Sequence, residues 1–266
     1  MIGETQMNRV QPARARQTYR VADLVNPAAT GPFILVCEHA SSRMPPSYAS
    51  LGLPASARRS HVAWDPGALA VARHLSSLLD SPLIAHRYSR LLYDCNRPPE
   101  SAGAVVARSE VFDIPGNTGL SPEELNRRAD LFYHPFREQL GELIEMHHGV
   151  GAPALVTIHS FTPVYHGRKR EVEVGILHDE DDRLAREMLA HADRFGGLVV
   201  RENEPYGPTD GVTHTLKEHG LARGMANVMI EVRNDLIATP VAQARMARLL
   251  ADVLSEAHAS VTGKGC

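Results

Sequence analysis

The sequence predicts an α/β protein: a single three-layer domain in which a mainly parallel or mixed sheet lies between helices. Three observations lead there. Short apolar runs alternate along the chain with helical stretches, the pattern of a sheet covered on both faces. The 266 residues are enough for one large α/β domain with a full core. Several apolar runs also stop abruptly at polar residues, as strands do when their carboxyl ends form a ligand site.

The first strand is expected at 33–38, where Phe33-Ile34-Leu35-Val36-Cys37 stops at Glu38-His39. Further strands are expected at 82–87, 91–95, 153–159, 172–177, 197–201 and 226–232, and helices at 66–80, 121–148, 180–194, 211–220 and 238–258. Ser121-Pro122-Glu123-Glu124 marks a helix start, with an N-cap, a proline at the first helical position and a capping-box glutamate. The last helix repeats Val241, Ala244, Ala247, Leu250, Val253 and Leu254 at helical spacing and reads as a core helix. Stretches 40–65, 98–120 and 202–212 are rich in Pro, Gly, Ser and Asn, and loops of that length in a compact domain usually shape a binding site. No internal repeat or low-complexity linker divides the chain. The domain is placed at 26–260, with residues 1–25 as a flexible N-terminal arm.

Composition narrows the function classes. Hydrophobic residues make up 43% and charged residues 22%, ordinary for a globular protein, and the net charge of −3 gives no support to nucleic-acid or membrane-surface binding. No apolar run approaches the roughly 20 residues of a membrane span. Met1 to Arg16 carries Arg9, Arg14 and Arg16 but lacks the apolar stretch of a signal peptide. Cys37, Cys95 and Cys266 are too few and too scattered for a disulfide framework. A cytoplasmic protein, monomeric or homodimeric, is expected.

The chemistry gathers at strand tips. His39 follows the first strand, and His159 follows Ala154-Leu155-Val156-Thr157-Ile158. A core strand has no use for such groups, because burying an unpaired polar side chain is costly. A lone histidine is more often satisfied by neighbouring backbone; two at the tips of central strands can face one metal ion. A catalytic zinc site needs a third ligand and an open position. Asp65, just before a helix, is the first choice, with Glu38 and His61 behind it; the plainer reading of Asp65 is a helix N-cap. In Tyr93-Asp94-Cys95-Asn96-Arg97-Pro98, Arg97 beside Asn96 presents a planar fork suited to a substrate carboxylate. A salt bridge from Arg97 to Asp94 is the alternative. Arg90 is a second anion contact, and Ser160, beside His159, is placed with the substrate contacts. Glu231, at the end of Asn227-Val228-Met229-Ile230, can act as a base, and Arg233, on the same face because strand side chains alternate, is expected as a second catalytic group that steadies the oxyanion or holds Glu231 in position. A structural Glu231–Arg233 ion pair is the plainer reading.

Taken together these residues resemble the N-formylglutamate amidohydrolase family, over roughly residues 30–255. The matching pieces are Cys37-Glu38-His39-Ala40-Ser41, Trp64-Asp65, Tyr88-Ser89-Arg90, Asp94-Cys95-Asn96-Arg97, Asn117-Thr118-Gly119-Leu120, Tyr133-His134-Pro135-Phe136, His159-Ser160-Phe161 and Ile230-Glu231-Val232-Arg233. That family is similar to zinc carboxypeptidases and aspartoacylase, so the resemblance implies a zinc-carboxypeptidase-like fold. It also implies one zinc ion per chain on His39 and His159, a carboxylate contact at Arg97 and a base at Glu231. Ser42 stands where the zinc carboxypeptidases place a glutamate ligand. Cys95 replaces the leucine usual in Asp-Leu-Asn-Arg. The implied activity is hydrolysis of an N-acyl, above all N-formyl, group from an acidic amino acid such as N-formylglutamate. A zinc carboxypeptidase, another N-acyl amino acid deacylase or a non-catalytic carboxylate-binding relative are the alternatives.

Overall fold

An apolar run with both faces covered must feed two cores, because successive side chains of an extended strand point in opposite directions. A computed structural model of the chain, describing residues 19–147 and 151–263, has this arrangement. In chain order the strands are β1 Ala22–Val25, β2 Phe33–Cys37, β3 Leu83–His86, β4 Arg108–Ser109, β5 Phe112–Asp113, β6 Ala154–Phe161, β7 Val164–Tyr165, β8 Arg168–Lys169, β9 Val174–Leu177, β10 Val200–Glu202 and β11 Asn227–Arg233. The α-helices are α1 Ala55–Arg59, α2 Ala68–Leu78, α3 Pro122–Arg128, α4 His134–His147, α5 Arg183–Ala190 and α6 Pro240–Thr262. Seven strands form one mixed sheet in the order β1-β3-β2-β6-β11-β9-β10. β3, β2, β6 and β11 run parallel, while β1 and β9 are antiparallel to their inner neighbours. The pairs β4–β5 and β7–β8 are small separate hairpins.

The two faces divide as alternation requires. Phe33, Leu35, Val156, Ile158, Val228 and Ile230 pack with α2, α5 and α6; Ile34, Val36, Leu155 and Met229 pack with Phe132, Phe136, Leu140 and Ile144 on the other side. The helix predicted at 238–258 is α6, with Leu250, Val253 and Leu254 fully buried, so Leu250→Ala should cost about 2–5 kcal/mol. The Ser121 cap is present: its side chain accepts from the Glu124 backbone N–H. Among the described residues no helix is long and apolar enough to cross a membrane.

Four expectations need correction. Residues 91–95 are buried but not a strand. The Leu91 carbonyl accepts from Asn117 Nδ2 at 2.8 Å, the Leu92 N–H donates to the Ser89 carbonyl and the Asp94 N–H to that of Ala104. The run is apolar because it packs under the loops, and side chains and turns satisfy its backbone in place of a ladder. The helix expected at 121–148 is α3 and α4 joined by a π-helical turn, Ala129–Tyr133, with residue 148 outside the described residues. The helix expected at 211–220 is reduced to a π-helical turn, Leu216–Gly220, followed by a 3-10 turn. Of the arm expected at 1–25, residues 1–18 lie outside the described residues, and Ala22–Val25 form the edge strand β1 against β3. With alternate residues only partly buried, four residues gave too short a pattern to read.

Candidate metal centre and active site

β2 and β6 are parallel neighbours, and so are β6 and β11, so their carboxyl ends lie side by side. The register pairs Glu231 with His159, which therefore share a face with Leu155 and Met229. His39 leaves the end of β2. Asp65 reaches the same place through the turn before α2, where its N–H donates to the His39 carbonyl at 2.9 Å. Gly67 makes this turn possible: its φ is +85°, and a Cβ there would lie 2.7 Å from the Ile237 carbonyl oxygen. Gly67 also occupies the N-cap of α2, which carries no side-chain cap, so Asp65 is not a helix cap.

The three expected ligands converge. His39 Nδ1 is 3.3 Å from Asp65 Oδ2, His159 Nδ1 is 2.9 Å from the same oxygen, and the two Nδ1 atoms are 3.2 Å apart. All three residues are buried, and the group can hold a metal ion. The fit is geometric as well as chemical. Nitrogen and oxygen ligands about 2.0–2.1 Å from a tetrahedral zinc stand about 3.3 Å from one another, close to the three edges found here. The site therefore suits a small divalent cation bound by two imidazoles and one carboxylate.

Each imidazole meets a carboxylate on its other nitrogen. His39 Nε2 is 2.7 Å from Asp94 Oδ1, and His159 Nε2 is 3.1 Å from Glu38 Oε2. The first is a hydrogen bond, which fixes the orientation of a metal-binding ring and raises its basicity; the second is an ion-pair contact without hydrogen-bond geometry, which raises basicity by charge. Glu38 is thus behind His159 rather than a third ligand. His61 stands elsewhere on the cavity wall, 3.0 Å from Glu110. Asp94 was not recognised from sequence as His39's partner. The usable signal was the need of each metal-binding histidine for a carboxylate, of which Asp94, in the motif already singled out, is one.

Charge follows this geometry. Burial alone would raise the Asp65 carboxyl, but His39 and His159 beside it hold it well below the usual range. Burial likewise opposes ionisation of Asp94, yet Arg90 and His39 hold it well down. Arg90 Nη2 donates to Asp94 at 2.7 Å, and its Nη1 is 3.6 Å from Asp65. Arg90 compensates these acids. Glu231 differs: burial pushes its carboxyl up to about 7, Asp65 adds to the rise and His159 offsets part of it. Its Oε2 has no hydrogen-bond partner among the described residues.

These groups open into a cavity of about 370 Å³ whose lining includes Arg90, Asn96, Arg97 and Ser160. Asn96 is occupied with structure: Nδ2 donates to the Val212 carbonyl, and Oδ1 accepts from the Thr215 N–H at 2.9 Å. The Ser160 hydroxyl donates to the Pro66 carbonyl at 2.8 Å, while its N–H donates to Asp65 Oδ2 at 3.3 Å. Arg97 does not pair with Asp94; its Nη1 donates to the carbonyls of Asn96 and Gly211. Arg233, expected as a catalytic group beside Glu231, does not line the cavity. Glu173 at 3.1 Å and Asp235 at 2.9 Å draw its guanidinium aside at the end of β11.

Residues 31–238 match the N-formylglutamate amidohydrolase family. Over 92% of this chain and 97% of the other, the structure superposes on that of a gene product of Agrobacterium tumefaciens, with 52% sequence identity and a TM-score of 0.88. It also superposes on an N-formylglutamate amidohydrolase from Ralstonia eutropha JMP134, over 93% of this chain and 100% of the other, with 18% identity and a TM-score of 0.60, a likeness of fold. No curated protein matches the chain. The fold and family are those of a hydrolase acting on amide bonds. The chain belongs to the N-formylglutamate amidohydrolase family.

Proposed function

We propose that this protein hydrolyses the amide bond of an N-acyl, above all N-formyl, derivative of an acidic amino acid such as N-formylglutamate, with one zinc ion held by His39, Asp65 and His159. The observation that carries the reading is the place of Glu231. It is an unpaired, buried carboxylate on the strand next to His159, with its pKa raised to about 7. A core has no use for such a group, whereas a general base working near neutrality needs one.

Bound zinc supplies Lewis acidity, polarising the amide carbonyl and lowering the pKa of water towards about 7. The remaining work falls to the chain. Glu231 takes a proton from the attacking water on its free Oε2 as the water oxygen bonds to the carbonyl carbon. It returns that proton to the amide nitrogen as the C–N bond breaks, giving a carboxylic acid and a free amine. Asp94 holds the His39 imidazole in the tautomer and orientation that leave Nδ1 free, and the Glu38 charge lies against Nε2 of His159. Arg90 keeps Asp94 ionised. Arg97, whose guanidinium has carbonyl partners but no carboxylate one among the described residues, anchors a substrate carboxylate. A cavity of about 370 Å³ suits an amino-acid derivative. The buried free thiols of Cys37 and Cys95 suit a reducing cytoplasm.

The test is a panel of N-formyl, N-acetyl and N-carbamoyl amino acids offered to the zinc-loaded protein, with amine release as the readout. Turnover of an N-formyl acidic amino acid above the others is expected. No turnover of any member would overturn the reading.

A further inference from the structure

Arg233, drawn aside at the end of β11, spends one of its donors on the segment that follows β8. Its Nη1 donates to the Arg170 carbonyl at 3.3 Å, and the Arg170 N–H donates to the Pro163 carbonyl at 2.9 Å. The backbone at Arg170 is thus tied to the strand that carries Glu231. Its half-buried side chain stands behind the cavity wall rather than in it. The guanidinium carbon lies 4.6 Å from the ring centre of Tyr165, 4.8 Å from that of Tyr206 and 5.5 Å from that of Phe161. Those three rings line the cavity; Arg170 does not. Its Nη1 donates to Tyr206 Oη at 2.9 Å, the only hydrogen bond of the Arg170 side chain among the described residues. Rings packed around a planar cation fix its orientation, and the cation in turn fixes the phenol.

Tyr206 is brought beside the candidate base by a gap in the sheet. On β11, Glu231 pairs with His159 of β6 on one side and with Gly175 of β9 on the other. A Cβ on Gly175 would come within 2.0 Å of the Glu204 carbonyl oxygen. The backbone leading to Tyr206 passes there only because residue 175 has no side chain. Glu231 therefore has a candidate metal ligand on one flank and the segment bearing Tyr206 on the other. Burial pushes the Tyr206 phenol up to about 12 and the Glu231 charge adds to the rise, while Arg170 and Arg90 offset part of it. The phenol stays protonated near neutrality. Its oxygen accepts from Arg170, and its own proton has no acceptor among the described residues. That donor is left for an acceptor arriving with the substrate.

We infer that Tyr206 is a further catalytic residue, whose phenol donates to the amide carbonyl oxygen as water adds to the carbonyl carbon, and that Arg170 is the positioning residue behind it. As the new C–O bond forms, the carbonyl π pair moves onto that oxygen; it returns when the C–N bond breaks. Tyr206 gives a hydrogen bond and keeps its proton, since the proton that moves is the one Glu231 carries. A donor fixed in advance is worth most where charge develops during the reaction. The guanidinium on the phenol oxygen polarises the O–H bond, which strengthens the donor. This inference rests on the amidohydrolase reading above and adds a residue to it.

The experiment measures kcat and KM for N-formylglutamate with the zinc-loaded wild type, Tyr206→Phe, Arg170→Met, Arg170→Lys and the double variant Tyr206→Phe/Arg170→Met. Tyr206→Phe keeps the ring and removes only the donor. Its kcat should fall about 10²-fold, the low end of what losing one oxyanion donor costs, with KM within about twofold of wild type. Arg170→Met should lose less than that, and Arg170→Lys less again. The double variant should be no slower than Tyr206→Phe, because Arg170 acts on the substrate only through the phenol. A kcat within about threefold of wild type in Tyr206→Phe, or a raised KM with kcat kept, would overturn the inference. Losses that add in the double variant would make Arg170 a brace for the aromatic wall and overturn its part. Melting temperatures identify any variant that loses the fold, and Tyr206→Phe decides alone if the Arg170 variants do. Wild-type turnover beside an unaffected Tyr206→Phe sinks this inference and leaves the amidohydrolase reading standing. No wild-type turnover of any N-acyl amino acid in the panel sinks both.

Discussion

The Nδ1 atoms of His39 and His159 face each other across 3.2 Å, with Asp65 Oδ2 within reach of both. Two ring nitrogens so close cannot both present lone pairs to each other, so a proton or a cation must stand between them. Burial works against protonation of either ring. The carboxylates around them outweigh it: Asp94 and Asp65 raise His39, and Glu38 and Asp65 raise His159 well above its ordinary value. Without metal, protons hold the cluster together. A divalent cation bound there would replace them.

Removing either imidazole should therefore abolish the metal site. In His39→Ala and His159→Ala, zinc content by elemental analysis should fall sharply. The thermal stabilisation by added zinc, about 2.7 kcal/mol at 100 times Kd, should disappear. Full occupancy in either variant would remove that histidine from the ligand set.

Metal binding should also release protons and strengthen as pH rises. A ligating imidazole must be neutral, and both rings hold their protons above the ordinary histidine value of 6.5 in the metal-free protein. The stability these protons confer is full below that value and is lost as pH rises through the raised pKa values. Calorimetry in buffers of different ionisation enthalpy at pH 7 would count the protons. Affinity that does not change between pH 6 and pH 8 would contradict the assignment.

The strand tips were legible because chemistry interrupts the hydrophobic pattern there. Glu38-His39, His159-Ser160 and Glu231 each end a run of apolar residues, and the structure brings all three ends together. Other features were hidden for physical reasons. Leu91 to Cys95 is as apolar as a strand because it is just as buried, and only the side chains of distant residues such as Asn117 show that its backbone is paired differently. Arg233 follows the alternation rule in sequence and escapes it in space, since a long side chain at a strand end goes to the nearest carboxylates, Glu173 and Asp235. Arg170 and Tyr206 lie on loops and hairpins with no periodic pattern, and they meet only through the fold.

Arg97→Ala should cost about 2–4 kcal/mol in kcat/KM on an N-acyl amino acid, since a charge-assisted pair in a closed cavity is lost. Arg97→Lys should restore only part of it, because an ammonium cannot reproduce the planar fork. A loss of threefold or less in Arg97→Ala would move the carboxylate contact elsewhere.

Asp94→Asn keeps the shape of the group behind His39 and removes its charge. The 2.7 Å contact to Nε2 would then stabilise the imidazole less, and Arg90 would lose its closest partner. Zinc affinity should drop about ten- to hundredfold, measured by competition with a chelator. Unchanged affinity would reduce Asp94 to a partner of Arg90 alone.

Glu231→Gln separates catalysis, metal binding and stability at one carboxylate. As the base, Glu231 has to exchange protons with water and with the departing amine, so the glutamine variant should lose about 10² or more in kcat. Zinc binding should stay normal, because Glu231 is not among the three ligands. The third effect is on stability. Burial raises this carboxyl from 4.5 to about 7, so the folded metal-free protein holds the proton more tightly than the unfolded chain does. Stability is therefore lost as pH rises through that interval, by on the order of 3 kcal/mol once the group is ionised. Metal-free Glu231→Gln should accordingly melt at a higher temperature than the wild type at pH 8, and the difference should vanish near pH 4. A bound cation favours the ionised form and pulls the value down, so in the zinc-loaded enzyme kcat/KM should rise with pH along an acid limb lying below 7. Near-normal turnover in the variant would place the base elsewhere, and equal melting temperatures at pH 8 would remove the raised carboxyl.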